Sequence, residues 1–108
     1  MRRARPSKRW RLEFETAVAE IAANIIEHAN PAARGDFSMH LFYSGESVSA
    51  RFVDSGLPFT HTITAPPPAD PLAETGRGIA IARAALDRLH YQRQDNRNVW
   101  TLEKRLRR

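Results

Sequence analysis

A long aperiodic stretch divides the chain into two similar halves. Residues 54–75 carry no sustained hydrophobic period, and five of the seven prolines fall there: Pro58, Pro66, Pro67, Pro68 and Pro71. An irregular segment this long is uncommon in a small domain and is typically a functional lid or a disordered loop. Each half can therefore hold only short elements, and the fold must bring them together across the gap. With 108 residues, one domain is expected, burying roughly two-thirds of its unfolded surface.

Before the gap, Phe14, Val18, Ile21 and Ile25 recur every three or four residues. This spacing predicts a helix from Trp10 to Ala29 with one buried face. Asn30-Pro31 ends it, because proline disfavours helical geometry in the residue before it. Phe37, Met39, Leu41 and Tyr43 then alternate with Ser38, His40 and Phe42, and Val48, Ala50 and Phe52 alternate with Ser47, Ser49 and Arg51. Ser44-Gly45-Glu46 between them reads as a hairpin turn, giving adjacent antiparallel strands with one buried face. After the gap, Gly76-Arg77-Gly78 opens a second helix, in which Ile79, Ala82, Leu86 and Leu89 carry helical spacing to about His90. Two more strands are expected, Leu89 to Arg93 and Val99 to Leu106, with Asp95-Asn96-Arg97-Asn98 as their turn and Trp100, Leu102 and Leu106 on one side. This order predicts an α+β fold: a two-layer α/β sandwich with a mixed, mostly antiparallel sheet and its helices on one face.

The formal charge is +5, and the distribution matters more than the sum. Ten of the seventeen basic residues lie at 1–11 and 104–108; the span 12–103 holds seven basic against all twelve acidic residues, a net −5. Basic ends of this kind are solubilising or partner-attracting tails. No cysteine is present, which excludes disulfides, thiolate metal sites and a cysteine nucleophile. No run approaches the roughly 20 apolar residues of a membrane span, and the start lacks the apolar run of a signal peptide. A cytoplasmic setting with no membrane partner is expected.

Three features carry candidate chemistry. Glu20, Asn24 and His28 stand four residues apart on the first helix, drifting by about 40° per step, so they share one stripe beside the apolar face. Without a ligand they would be a solvated helix face. Asp54-Ser55-Gly56 closes the second strand, and an Asp two residues before Gly also makes an ordinary turn. Gly76-Arg77-Gly78 suits either a plain helix start or a phosphate cradle, since glycines let backbone N–H groups approach an anion at a helix N-terminus.

Together these three features resemble the nucleotide-binding fold shared by histidine kinases, type II topoisomerases and MutL. Within that superfamily the chain looks most like the anti-sigma factor serine/threonine-protein kinases. The matching text is AEIAANIIEHAN, FVDSGLPF, and TGRGIAIARAALDRLHYQR with NVWTLEKRL, covering roughly residues 12–106. The resemblance implies a Bergerat-type ATP-binding domain over 12–106 with a lid at about 54–78, a basic arm over 1–11 and a basic tail at 107–108. It implies ATP and Mg²⁺ as cofactors. Glu20 is then the general base toward a protein serine or threonine, and Asn24 holds Mg²⁺ against the phosphates. Asp54 accepts the adenine amino group, Gly56 lets the base lie against the backbone, and Gly76, Arg77 and Gly78 meet the phosphates. Thr101 falls near a position that supports the adenine, and His28 is assigned to packing or support of the site.

The implied activity is phosphorylation and binding of an anti-anti-sigma (STAS-type) antagonist, with a sigma factor as a further partner. The chain is also expected to be N-terminally short by one strand and one helix relative to that family. This leaves open a homodimer or a partner strand that completes the sheet. Two readings stand beside the kinase: a nucleotide-dependent adaptor without turnover, and a nucleic-acid-binding protein using the basic ends. The last lacks an RNP-type aromatic motif, zinc spacing or a helix-turn-helix, so no direct nucleic-acid partner is expected.

Overall fold

The first helix begins earlier than its apolar period suggests, because Ser7 caps it. The Trp10 backbone N–H donates to Ser7 Oγ at 3.0 Å, and Arg11 N–H donates to Ser7 O at 3.0 Å. A serine N-cap supplies an acceptor for a backbone donor that has no partner within the helix. The computed structural model describes residues 6–27, 37–58 and 74–106, and for 74–77 the backbone alone. Within these, α1 spans Lys8–Glu27, so Lys8, Arg9 and Arg11 of the expected arm are helical. The expected end of this helix at Ala29 lies outside the described residues, as do His28, residues 1–5, 107–108 and the 59–73 part of the lid.

The remaining elements are β1 (Phe37–Tyr43), β2 (Ser47–Asp54), α2 (Glu74–Ala85), β3 (Arg88–Gln94) and β4 (Arg97–Arg105). The four strands form one sheet in the order β1-β2-β4-β3, and every neighbouring pair is antiparallel. The expected α+β sandwich is the observed fold, and its described sheet is antiparallel throughout rather than mixed.

The core lies between the helices and one face of the sheet. Phe14, Ala17, Ile21 and Ile25 of α1 meet Ile79 and Ala82 of α2, with Leu86 beyond its end, and Ala50, Phe52, Trp100 and Leu102 of the sheet. Ile21, Phe52, Trp100 and Leu102 are the largest fully buried side chains; each contributes about 1.5–3 kcal/mol or more of hydrophobic stabilisation. Trp10 stacks on Phe14 with ring centroids 5.2 Å apart, and its indole N–H donates to Arg105 O at 2.6 Å, tying the start of α1 to the end of β4.

Four expectations change. The second helix stops at Ala85 rather than near His90. Lys104, a residue only 2% exposed, donates from Nζ to Ala85 O at 2.6 Å and so satisfies a carbonyl at the helix end. Asp87 then locks the chain into the sheet: its N–H donates to Glu103 O at 2.9 Å, and its Oδ2 accepts the Arg105 N–H at 2.7 Å. Leu89 consequently belongs to β3, with Tyr91 and Arg93 on the same face. The β3–β4 turn is two residues rather than four. Asp95 and Asn96 take φ of 51° and 62°, the left-handed pair of a tight hairpin that Asp and Asn tolerate; Arg97 and Asn98 are therefore strand residues. The strand expected to reach Leu106 ends at Arg105, and Leu106 N–H donates to Glu46 O at 2.8 Å.

The fourth change concerns β1. Its residues Phe37, Met39 and Leu41 pair with Asp54, Phe52 and Ala50, and so stand on the core side of the sheet. Yet every residue of β1 is exposed. The core is built over β2, β4 and β3, and the edge strand projects beyond it.

Candidate functional site

On the helix layer, the site is built from one face of α1. Asn24 is buried, and its Oδ1 has no hydrogen-bond partner. Glu20, half-buried, lies one turn earlier. Its carboxylate rests on α2: a Cβ placed on Gly78 would come 2.7 Å from Glu20 Oε2. Only a residue without a side chain leaves that carboxylate where it is. Gly76 falls in the first turn of α2, where backbone N–H groups have no partner within the helix. Gly76-Arg77-Gly78 thus sits just inside the helix, which begins at Glu74.

On the sheet layer, the last residue of β2 is the centre of a polar row. Asp54, 5% exposed, pairs across the sheet with Asn98, 4% exposed, which pairs in turn with Arg93. Asp54 Oδ1 accepts the Gly56 backbone N–H at 2.8 Å and the Asn98 Nδ2 amide at 2.9 Å. Asp54 Oδ2 is buried with no partner. The turn and the site thus divide one carboxylate between its two oxygens. Beyond Asp54, Arg93 Nη1 donates to Gly56 O at 2.8 Å, and Asn98 Nδ2 donates also to Leu57 O at 2.8 Å. The first residues of the expected lid are therefore held at their root by two sheet side chains.

Asn24 Oδ1 and Asp54 Oδ2 are the two buried side-chain polar atoms left without a partner among the described residues. An unpaired buried acceptor costs about 1–3 kcal/mol, which a ligand offering a donor or a cation would offset. Asp54 Oδ2 suits an amino N–H. Asn24 Oδ1 suits a hard cation, which takes neutral oxygen ligands. Among the described residues no group of three or more His, Asp or Glu side chains could hold a metal ion.

Comparison with known families decides what this pair of layers is. The chain matches the family model of the histidine kinase-like ATPase domain over residues 1–104. The chain belongs to the histidine kinase-like ATPase family. A search of curated proteins finds no match.

As a histidine kinase-like ATPase domain, the chain is an ATP-binding domain. Among the described residues, the buried polar atoms left unsatisfied stand on Asn24 and Asp54, the two residues that the family resemblance assigns to metal and adenine. Thr101 is not brought to them. It pairs with Arg51 and His90, out of phase with Trp100 and Leu102, and alternation places it on the sheet face away from the helices. The β4 residue beside Asp54 is Asn98, which sequence reasoning missed together with Arg93 and Tyr91. The available signal was Asp95-Asn96: as a two-residue turn it moves Asn98 into the strand, opposite Asp54. No helix among the described residues is long and apolar enough to cross a membrane.

Proposed function

We propose that this ATPase domain is a serine/threonine-protein kinase that phosphorylates and binds a STAS-type antagonist, with a sigma factor as its second partner. The observation that carries the reading is the position of Glu20. It supplies a carboxylate one helical turn from Asn24 and against Gly78 of the glycine-rich segment, and nucleotide binding alone does not need it. In the proposed step, Glu20 accepts the proton of the acceptor hydroxyl as that oxygen bonds to the γ-phosphorus of ATP. The bond from the γ-phosphorus to the β–γ bridging oxygen breaks, and ADP leaves. Catalysis of this kind rests on positioning and charge management. Asn24 Oδ1 would hold Mg²⁺, which when bound neutralises phosphate charge. Asp54 Oδ2 accepts the adenine amino group against Gly56, and Gly76, Arg77 and Gly78 meet the phosphates. The partners follow from the family resemblance.

A homodimer is part of the proposal. It is supported by the edge position of β1 among the described strands and its exposed Phe37, Met39, Leu41, Phe42 and Tyr43, because an apolar edge strand is a route to association.

The test is transfer of labelled γ-phosphate from ATP to a STAS-type protein. Glu20→Ala is expected to keep ATP binding and to lose transfer by about 10²–10⁴-fold. Unchanged transfer by that variant removes Glu20 as the base.

A further inference from the structure

Asn98 has every hydrogen-bonding position filled. Its Oδ1 accepts the Tyr91 hydroxyl at 2.5 Å and Arg93 Nη1 at 3.1 Å. Its Nδ2 donates to Asp54 Oδ1 at 2.9 Å and to Leu57 O at 2.8 Å. An amide has two lone pairs and two N–H groups, so nothing remains to offer a ligand. Turning the amide over would set its N–H groups against the Arg93 guanidinium, which can only donate, and its oxygen against two acceptors, Asp54 Oδ1 and Leu57 O. Tyr91 is itself held, with its ring 4.7 Å from that of Trp100 in the core. Arg93 also holds Gly56 O. The amide therefore has one orientation, imposed from β3.

That orientation dictates what Asp54 can do. Asn98 Nδ2 and the Gly56 N–H both occupy Oδ1, so the carboxylate cannot rotate without giving up two hydrogen bonds. Oδ2 alone is left, buried and unpartnered, and it can only accept. A base that presents an exocyclic amino group at that point is taken; one that presents a carbonyl oxygen there meets acceptor against acceptor. A carboxylate free to turn could adjust to the N–H groups of the second base.

We infer that Asn98, clamped by Tyr91 and Arg93, is a positioning residue for Asp54 and sets the preference of the site for 6-amino over 6-oxo purine nucleotides. The inference rests on the ATP-binding reading of Asp54. Asn98 acts through Asp54 and touches no reacting atom.

The test is calorimetry on the full chain with Mg²⁺ and either ATP or GTP. The parent is expected to prefer ATP. Asn98→Asp keeps the shape of the side chain and places an oxygen where Nδ2 donates to Asp54. It is expected to weaken ATP binding at least about tenfold, the scale of one charge-assisted hydrogen bond, and to lower the ATP:GTP affinity ratio. Tyr91→Phe removes one donor to Asn98 Oδ1 and leaves Asp54 and the core ring in place. It is expected to lower the same ratio by a smaller factor, which keeps the inference testable should Asn98→Asp not fold. A parallel loss for both nucleotides, or an unchanged ratio in both variants, overturns the positioning role while leaving ATP binding intact. Binding of neither nucleotide by the parent overturns the ATP-site reading first, and this inference with it.

Discussion

Glu20 Oε2 lies 2.7 Å from the point where a β-carbon on Gly78 would stand, so the carboxylate of α1 rests on bare backbone of α2. This contact separates stability from activity. Gly78→Ala adds a better helix former, worth about 1 kcal/mol inside a helix, and the clashing atom is the far end of a flexible side chain that can swing away. Thermal unfolding is expected to show equal or higher stability, while under the proposed kinase reading phosphoryl transfer falls at least about tenfold, because the proposed base is displaced. Lower stability with unchanged transfer would show that the contact is packing only.

Lys104 joins three elements from a buried position. It stands on β4, its Nζ donates to the last carbonyl of α2 at 2.6 Å, and it pairs with Glu13 of α1 at 3.3 Å. Lys104→Met keeps the apolar stem and leaves Ala85 O without this donor. Urea unfolding is expected to show a loss of about 1–3 kcal/mol, the cost of an unsatisfied buried acceptor. A change below about 0.5 kcal/mol, the range of an ordinary surface substitution, would remove Lys104 as the helix clamp.

Glu13 gives stability a pH dependence of known sign. The hydrogen bond from Lys104 holds its carboxyl below the usual 4.5, with the charges of Lys104 and Arg9 acting the same way and desolvation opposing. The folded state therefore binds this proton more weakly than the unfolded chain. The stability it contributes is present above about pH 4.5 and is lost as pH falls through the lowered folded value. Glu13→Gln should differ most from the parent near neutral pH, and the two unfolding curves should converge below about pH 4.5. A gap that stays constant with pH would mean that the effect is not ionic.

Much of the fold was legible because its signals are local. The apolar spacing of Phe14, Ile21 and Ile25, the Ser44-Gly45-Glu46 turn and the alternation in β2 each act within a few residues. Glu20, Asn24 and Asp54 stand at local spacings along one helix and at one strand end, but it is the family resemblance, not the spacing, that makes them candidates; the structure adds that Asn24 and Asp54 each carry a buried polar atom without a partner. What was not legible depends on contacts between distant segments. Leu86 and Leu89 fit helical spacing, and it is Lys104, nineteen residues from Ala85, that marks the end of α2. The apolar side of β1 was expected to be buried, but which strands are covered is decided by where the helices lie. Asn98 was hidden inside an apparent four-residue turn. Its role emerges only when Asp95 and Asn96 both turn left-handed and bring it opposite Asp54.

Asp54 Oδ2 is buried without a partner, and in the proposed reading it accepts the amino group of ATP. Calorimetric titration of the parent and of Asp54→Asn with ATP and Mg²⁺ tests it most directly. In the variant, the Gly56 and Asn98 donors favour an amide oxygen at the Oδ1 position. The amide N–H₂ then stands where Oδ2 stood, donor facing donor. The parent is expected to bind ATP, and Asp54→Asn to bind at least about tenfold more weakly with the fold unchanged by circular dichroism. Equal binding by the two proteins, or none by the parent, would contradict the account.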